Sequence, residues 1–238
     1  MDGDDLFRAV LNAPDEETPR LRYADWLAAN GQSDRAELIR VQLRMAQLEA
    51  VLPPDIEDDP RAAEWDRLSQ RVHELMNAHP NWRSELPEFP GVQWGAGQFW
   101  GFSGGFVSSV VVKDGATFAA QMGRVFAVAP VTSVKIDYPD DVTVQAVVGS
   151  PYLSRLTGLR LSSGSCGDAG ALALAASPHA AGLRFLSLFL CRVGSAGAMA
   201  LAASPHLRLD LTLQMTGNPL GPEGSRALRE RFGKGLEL

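Results

Sequence analysis

The 238-residue chain has only two cysteines, Cys166 and Cys191, and four histidines, His73, His79, His179 and His206. So few thiols exclude a disulfide-built scaffold and fit a reducing compartment. Metal chemistry lacks its usual spacing as well. There is no Cys-x-x-Cys or His-Glu-x-x-His, and His73 and His79 fall on or just beyond one helical pattern. No apolar run approaches bilayer-spanning length, and Met1-Asp2-Gly3-Asp4-Asp5 is acidic where a secretory leader would be positive. A soluble, cytoplasmic protein without a membrane partner is therefore expected. Basic residues are scarce before position 91, where 19 acidic residues face 10 basic ones, against 9 and 12 after it. Cationic contacts dominate nucleic-acid affinity, and the later arginines are scattered, so no nucleic-acid partner is expected. Gly101-Phe102-Ser103-Gly104-Gly105 lacks the Lys-Ser/Thr of a phosphate loop and precedes a strand pattern, so it reads as a connection and no cofactor is implied.

Repetition is what the chain does have. Residues 150–176, 177–203 and 204–230 form blocks of 27 that align Leu159/Leu186/Leu213, Leu161/Leu188/Met215, Gly167/Gly194/Gly221, Gly170/Gly197/Gly224 and Leu174/Leu201/Leu228. Each block begins with alternation, as in Leu159-Arg160-Leu161, which sets two apolar side chains on one face of a short strand. In the first two blocks the second half, Asp168 to Ala176 and Ser195 to Ala203, is rich in Ala and Leu, a helical composition, and the next Ser-Pro stops it. One strand and one helix per unit predicts an α/β horseshoe, with parallel strands on the concave side and helices on the convex side. The same frame runs backwards through Val131/Val134/Ile136 and Val107/Val110/Val112, giving about five strand units. The earlier steps are shorter than 27, so short or irregular helices are expected over 115–129 and 140–149.

The recurrence of Leu-x-x-Leu-x-Leu at Leu156/Leu159/Leu161 and Leu183/Leu186/Leu188 resembles leucine-rich repeats, and the turn Asn218-Pro219-Leu220-Gly221-Pro222-Glu223-Gly224 resembles the ribonuclease-inhibitor subtype. The resemblance implies that Asn218 satisfies loop backbone groups along the stack. Gly164 and Cys191 hold that place in the other blocks, and Asp210 replaces the first Leu of the third.

Residues 1–90 read as helices, followed by the repeat domain over 91–238. Asp2 to Asn12 is the first helix. Thr18 caps a second that starts at Pro19 and stops before Gly31, and Ser33 caps a third. In the third, Leu38, Val41, Met45, Leu48 and Leu52 form a stripe that Pro53 and Pro54 end. After the acidic linker Asp55 to Asp59, Trp65, Leu68, Val72 and Leu75 form a matching stripe, predicting an antiparallel hairpin. Trp94, Phe99, Trp100, Phe102 and Phe106 are expected to seal the end of the stack. The run Pro19-Arg20-Leu21-Arg22-Tyr23-Ala24-Asp25-Trp26-Leu27, with Arg35-Ala36-Glu37-Leu38-Ile39-Arg40-Val41-Gln42 after it, resembles the bacterial repeat-companion domain over residues 5–48. Proteins of that family often continue into ribonuclease-inhibitor-like repeats, and the resemblance brings no activity with it.

Two surfaces are candidates for binding a protein partner. On the concave strand face, Phe185 and Phe189 are large apolar groups among small polar ones, beside Lys135, Arg160 and Gln214; the alternative is that the rings pack on each other or on a loop. On the helical end, Trp26 and Arg35 suit a protein contact. The competing reading makes Tyr23 and Trp26 core or hairpin-packing aromatics and has Asp25 pair with a nearby arginine or cap the next helix. Cys166 aligns with Val193 and Leu220, an apolar position, and His179 and His206 repeat after Ser-Pro, so no catalytic residue is assigned. The expected function is a non-enzymatic, monomeric scaffold for protein–protein interaction. The alternative is a hydrolase or other enzyme with an unrecognised Cys/His-type site.

Overall fold

A computed structural model describes residues 2–51, 59–95 and 101–238. The chain divides into two compact units, one of Met1–Pro87 with Trp94–Ser108 and Ala127–Pro130, the other of Glu88–Gln93, Ser109–Phe126 and Val131–Leu238. Residues 94–108, expected with the repeats, thus group with the helices. Leu52, Pro53, Pro54, most of the acidic linker, Phe99 and Trp100 lie outside the described residues.

In the first unit, α1 (Gly3–Asn12) is capped by Asp2, whose carboxylate accepts the Asp5 N–H at 2.9 Å, with Asp4 and Asp5 suiting the positive helix end. Helix α2 (Glu17–Ala29) has Glu16 as its N-cap. Thr18, predicted as the cap, lies inside the first turn, where Pro19 is also tolerated because that N–H has no helical partner. Ser33 is likewise the first residue of α3 (Ser33–Glu49), after Gln32, instead of its cap. Helix α4 (Pro60–Ala78) is capped by Asp59, which accepts the Arg61 N–H at 2.9 Å. Arg44–Glu64 (2.8 Å), Arg71–Glu37 (2.7 Å) and His79–Asp34 (2.7 Å) match rising positions on α4 to falling ones on α3, so the two helices are antiparallel. The predicted stripes meet between them, as Leu38, Met45, Val72, Leu75 and Met76 form one cluster with Val41, Trp65 and Leu68 at its margin.

A two-residue-stranded hairpin, β2 (Phe102–Ser103) with β3 (Phe106–Val107), completes this unit, numbered after β1 (Val92–Trp94). Phe102 and Val107 join the α3–α4 cluster, and Phe106 joins Val10, Ala24, Leu27 and Ile39. Its turn uses Gly104 (φ 55°) and Gly105 (φ 85°), and a Cβ on Gly105 would overlap the Ile39 side chain.

The second unit is mixed α/β around a largely parallel, seven-stranded sheet. Its order is β1, β4 (Ser109–Val112), β5 (Ser133–Asp137), β6 (Gly158–Ser162), β7 (Phe185–Phe189), β8 (Thr212–Gln214) and β9 (Leu236–Glu237), and from β4 onward each strand pairs in parallel with the next in sequence. Register aligns Val110, Val134, Leu159, Leu186 and Leu213 in one row and Val112, Ile136, Leu161 and Leu188 in another, all buried. The strands β1 and β9 extend the sheet beyond the expected five. Val107 is not part of it, because Ser108 separates the hairpin from β4 and hydrogen-bonds back to Gly101.

Between strands lie α5 (Gly115–Val128), α6 (Asp141–Val148), α7 (Gly167–Ala176), α8 (Ser195–Ala203) and α9 (Gly221–Phe232). The expectation of a short or irregular α5 fails, since at 14 residues it is longer than α7 at 10. Its unit is shorter for another reason. Later units insert a 3-10 turn before the strand, Pro151–Arg155 or Pro178–Gly182, whereas α5 leads to β5 directly. Gly170, Gly197 and Gly224 sit within helices, and a Cβ on Gly224 would come 2.8 Å from the Ala198 Cβ of the preceding helix.

Hydrogen bonds tie each unit to the one before. Ser177 Oγ donates to the Val148 carbonyl at 2.9 Å, and Ser204 Oγ to that of Ala175 at 2.6 Å. Asp168 Oδ1 accepts the N–H groups of Gly194 (2.7 Å) and Gly197 (2.9 Å), capping the next unit's helix from outside it. After β5, β6, β7 and β8 one residue turns left-handed: Tyr138 (φ 56°), Ser163 (φ 58°), Leu190 (φ 54°) and Gly217 (φ 77°). The first three donate N–H to Ser162, Phe189 and Thr216 respectively, extending the ladder by one bond. At Asp210 the pattern weakens, and β8 spans three residues where β7 spans five. Among the described residues, no helix is long and apolar enough to cross a membrane.

Candidate interaction site

The sheet face opposite the buried rows carries the polar side chains of the strands. Parallel register places Lys135, Arg160, Ser187 and Gln214 side by side, with Phe185 beside Gly158 and Thr212 in the row before and Phe189 beside Ser162 in the row after. All five residues proposed for this surface therefore share one face. The Arg160 guanidinium lies 4.3 Å from the centre of the Phe185 ring, a cation–π contact. Among the described residues Arg160 has no carboxylate partner, whereas Asp137 receives both Lys113 (2.7 Å) and Lys135 (3.0 Å). The Lys113 hydrogen bond, aided by Lys135, holds the Asp137 carboxyl below its ordinary range.

Gln214 accepts the Ser187 hydroxyl at 2.7 Å and donates to Glu237 at 3.0 Å. Ser187 lies on this face yet is only 2% exposed, its hydroxyl engaged by Gln214. Phe189 stays 37% exposed. The face thus presents a cation resting on one ring, a second ring open to solvent, and polar groups already paired among themselves.

The two candidates on the helices differ in kind. Trp26 is half-buried, stacks on Tyr23 with centroids 5.9 Å apart, and closes over Gly3, where a Cβ would run into its ring. Asp25 pairs with Arg40 at 2.6 Å. Both follow the packing reading. Arg35 is not displayed on the surface, because its side chain is 14% exposed and its guanidinium carbon lies 4.8 Å from the Trp82 ring centre, 5.4 Å from that of Phe102 and 5.9 Å from that of Phe106. Burial pulls its pKa below the ordinary guanidinium range, and Glu85 opposes the shift.

Two residues that sequence reasoning passed over hold the hairpin of this unit. Arg20 donates to the carbonyls of Ser103 (2.9 Å), Gly104 (2.9 Å) and Pro14 (2.6 Å), and burial lowers its pKa to about 10. Gln42 Oε1 accepts the Gly105 N–H at 2.8 Å. The adjacent glycines were the available signal, since they mark a close backbone approach without naming what approaches.

Both cysteines are free and buried, and Cys191 Sγ donates to the Leu161 carbonyl at 3.4 Å. The neighbouring Cys191 thiol and burial hold Cys166 far above the ordinary thiol range, so it carries no thiolate at neutral pH. His79 bonds Asp34 at 2.7 Å and stacks on Trp82. Among the described residues, no three His, Cys, Asp or Glu side chains are grouped so as to hold a metal ion. No protein-family model matches the chain, and no curated protein or solved structure matches it.

Proposed function

We propose that this chain is a non-enzymatic scaffold that captures a protein partner, with ribonuclease-inhibitor-like leucine-rich repeats curved into a horseshoe and a repeat-companion domain at its N-terminal end. The reading rests on the sheet face that carries Arg160 over Phe185 with Phe189 beside it. An aromatic pair with an unpaired arginine is the composition of a protein-binding hot spot, and rings already held by strands lose little freedom on binding. Lys135 and Gln214 form its polar rim, each fixed by a neighbour on the same face.

The hydrolase reading needs an accessible thiol beside an imidazole. Both thiols, Cys166 and Cys191, are buried, which weighs against it.

The test replaces Phe185 and Phe189 together with alanine. The double variant should keep the wild-type circular dichroism spectrum and cooperative melting while losing proteins that the wild-type bait enriches from native lysate. Recovery of the same proteins in the same amounts by both baits would refute the proposal for this face.

A further inference from the structure

Within the first unit, a cleft of about 160 Å³ is lined by Phe7, Tyr23, Arg35, Trp82, Glu85 and Phe106 among others. That volume is close to the roughly 150 Å³ of an apolar cavity able to take up benzene. One wall is a cluster of three rings, with centroids 5.7 Å apart for Phe7–Tyr23, 5.7 Å for Phe7–Phe106 and 5.8 Å for Tyr23–Phe106. Such a wall suits a ring or a short aliphatic body and disfavours a heavily hydrated ion.

Arg35 supplies the polar end. A guanidinium carries five N–H donors, yet among the described residues Arg35 makes no hydrogen bond, and its Nη1 is buried without a partner. Rings cover it on Trp82, Phe102 and Phe106. Among the described residues, the carboxylate paired with it, that of Glu85, stays 4.0 Å from Nη2, beyond hydrogen-bond range, and is half exposed. A buried cation with unused donors is the group that a carboxylate satisfies best, through two parallel N–H···O bonds in water-poor surroundings. Among the lining residues Arg35 is the only cation and the Glu85 carboxylate repels further negative charge, which favours a monoanion over a doubly charged phosphate. Burial keeps the Tyr23 hydroxyl protonated, adding a neutral donor to the lining.

From this geometry we propose that the cleft binds a small apolar monocarboxylate, its body against Phe7, Tyr23 and Phe106 and its carboxylate on Arg35. The site lies in a different unit from the sheet face and is independent of the proposed scaffold role.

Calorimetric titration of the full chain with phenylacetate should show saturable one-to-one binding, with a Kd on the order of 1 mM or tighter for so small a ligand. Phenylacetamide, equal in shape but neutral, should bind at least about tenfold more weakly. Glu85→Gln removes the repelling carboxylate from a half-exposed position and should tighten phenylacetate about threefold. Arg35→Met, shown by melting to be folded, should abolish binding. Should that variant not fold, the amide and Glu85→Gln still decide. Equal affinity for acid and amide, no saturation, or an unchanged Kd in Glu85→Gln would overturn the proposal and leave Arg35 as a packing group among aromatic rings.

Discussion

Asn218 Oδ1 accepts the backbone N–H of Cys191 at 3.1 Å, reaching back 27 residues into the loop after β7. The same side chain accepts the Val193 N–H (3.0 Å) and donates to the carbonyls of Leu188 (2.6 Å) and Met215 (2.7 Å), so one amide satisfies four backbone groups. Asn218→Ala should therefore cost about 2–4 kcal/mol, the cost of leaving several part-buried polar groups unpaired. Urea unfolding would measure it, and a loss under about 0.5 kcal/mol would mean that water replaces the amide freely.

Gly105 and Gly31 have nearly the same φ, 85° and 79°, and opposite surroundings. A Cβ at Gly105 overlaps Ile39, while at Gly31 nothing lies within 4 Å. Gly31→Ala should cost about 1 kcal/mol for the left-handed conformation alone. Gly105→Ala should cost about 2–3 kcal/mol more, because the hairpin must lift off α3. Equal losses in the two melting curves would show that the hairpin is not held tightly on Ile39.

Tyr138 is left-handed and 79% exposed, so its side chain adds strain and little packing. Tyr138→Gly is expected to stabilise the fold by about 0.5–1 kcal/mol, the relieved strain outweighing the extra freedom of the unfolded chain. Val142→Gly provides the control, since Val142 is 68% exposed but helical, and there the change should destabilise by a similar amount. Thermal shifts of the same sign in both would contradict the backbone explanation.

The depressed Asp137 pKa carries a pH signature. Folding favours the ionised carboxylate, so its contribution is present above the ordinary value of 3.8 and disappears as pH falls through the lower folded value. Lys113 and Lys135 are 58% and 41% exposed, which limits the contribution to about 1 kcal/mol or less. Wild type and Asp137→Asn should differ by that amount at pH 7 and pH 5 and converge in more acidic solution. A gap that persists at pH 2 would assign the effect to packing instead of charge.

The strand positions were legible because the alternating Leu pairs recur at a fixed spacing, and period-2 burial leaves them one arrangement. Asn218 was legible only through the resemblance of its turn, Asn218 to Gly224, to ribonuclease-inhibitor-like repeats. The left-handed corners were not, since Tyr138, Ser163 and Leu190 share no chemistry, and only the ladder bond their N–H groups make explains the conformation. Arg20 and Arg35 were hidden for a different reason. Arginine on a helix ordinarily extends to solvent, and here carbonyls of the hairpin and aromatic faces bury it instead. The burial of Ser187 was not legible, because strand alternation specifies the face and not whether a neighbour such as Gln214 covers it. The 24-residue step misled on α5 because spacing counts residues without revealing whether the helix or the turn was shortened.

The Ser177 and Ser204 hydroxyls each bond a carbonyl 29 positions upstream, within the adjoining unit. Excising residues 177–203 would join Ala176 to Ser204-Pro205, which begins like the Ser177-Pro178 it replaces, and would bring a serine back opposite the Val148 carbonyl. Whole-module loss or tandem duplication therefore leaves every junction chemically familiar, so the length of this array is open to change by a single genetic event.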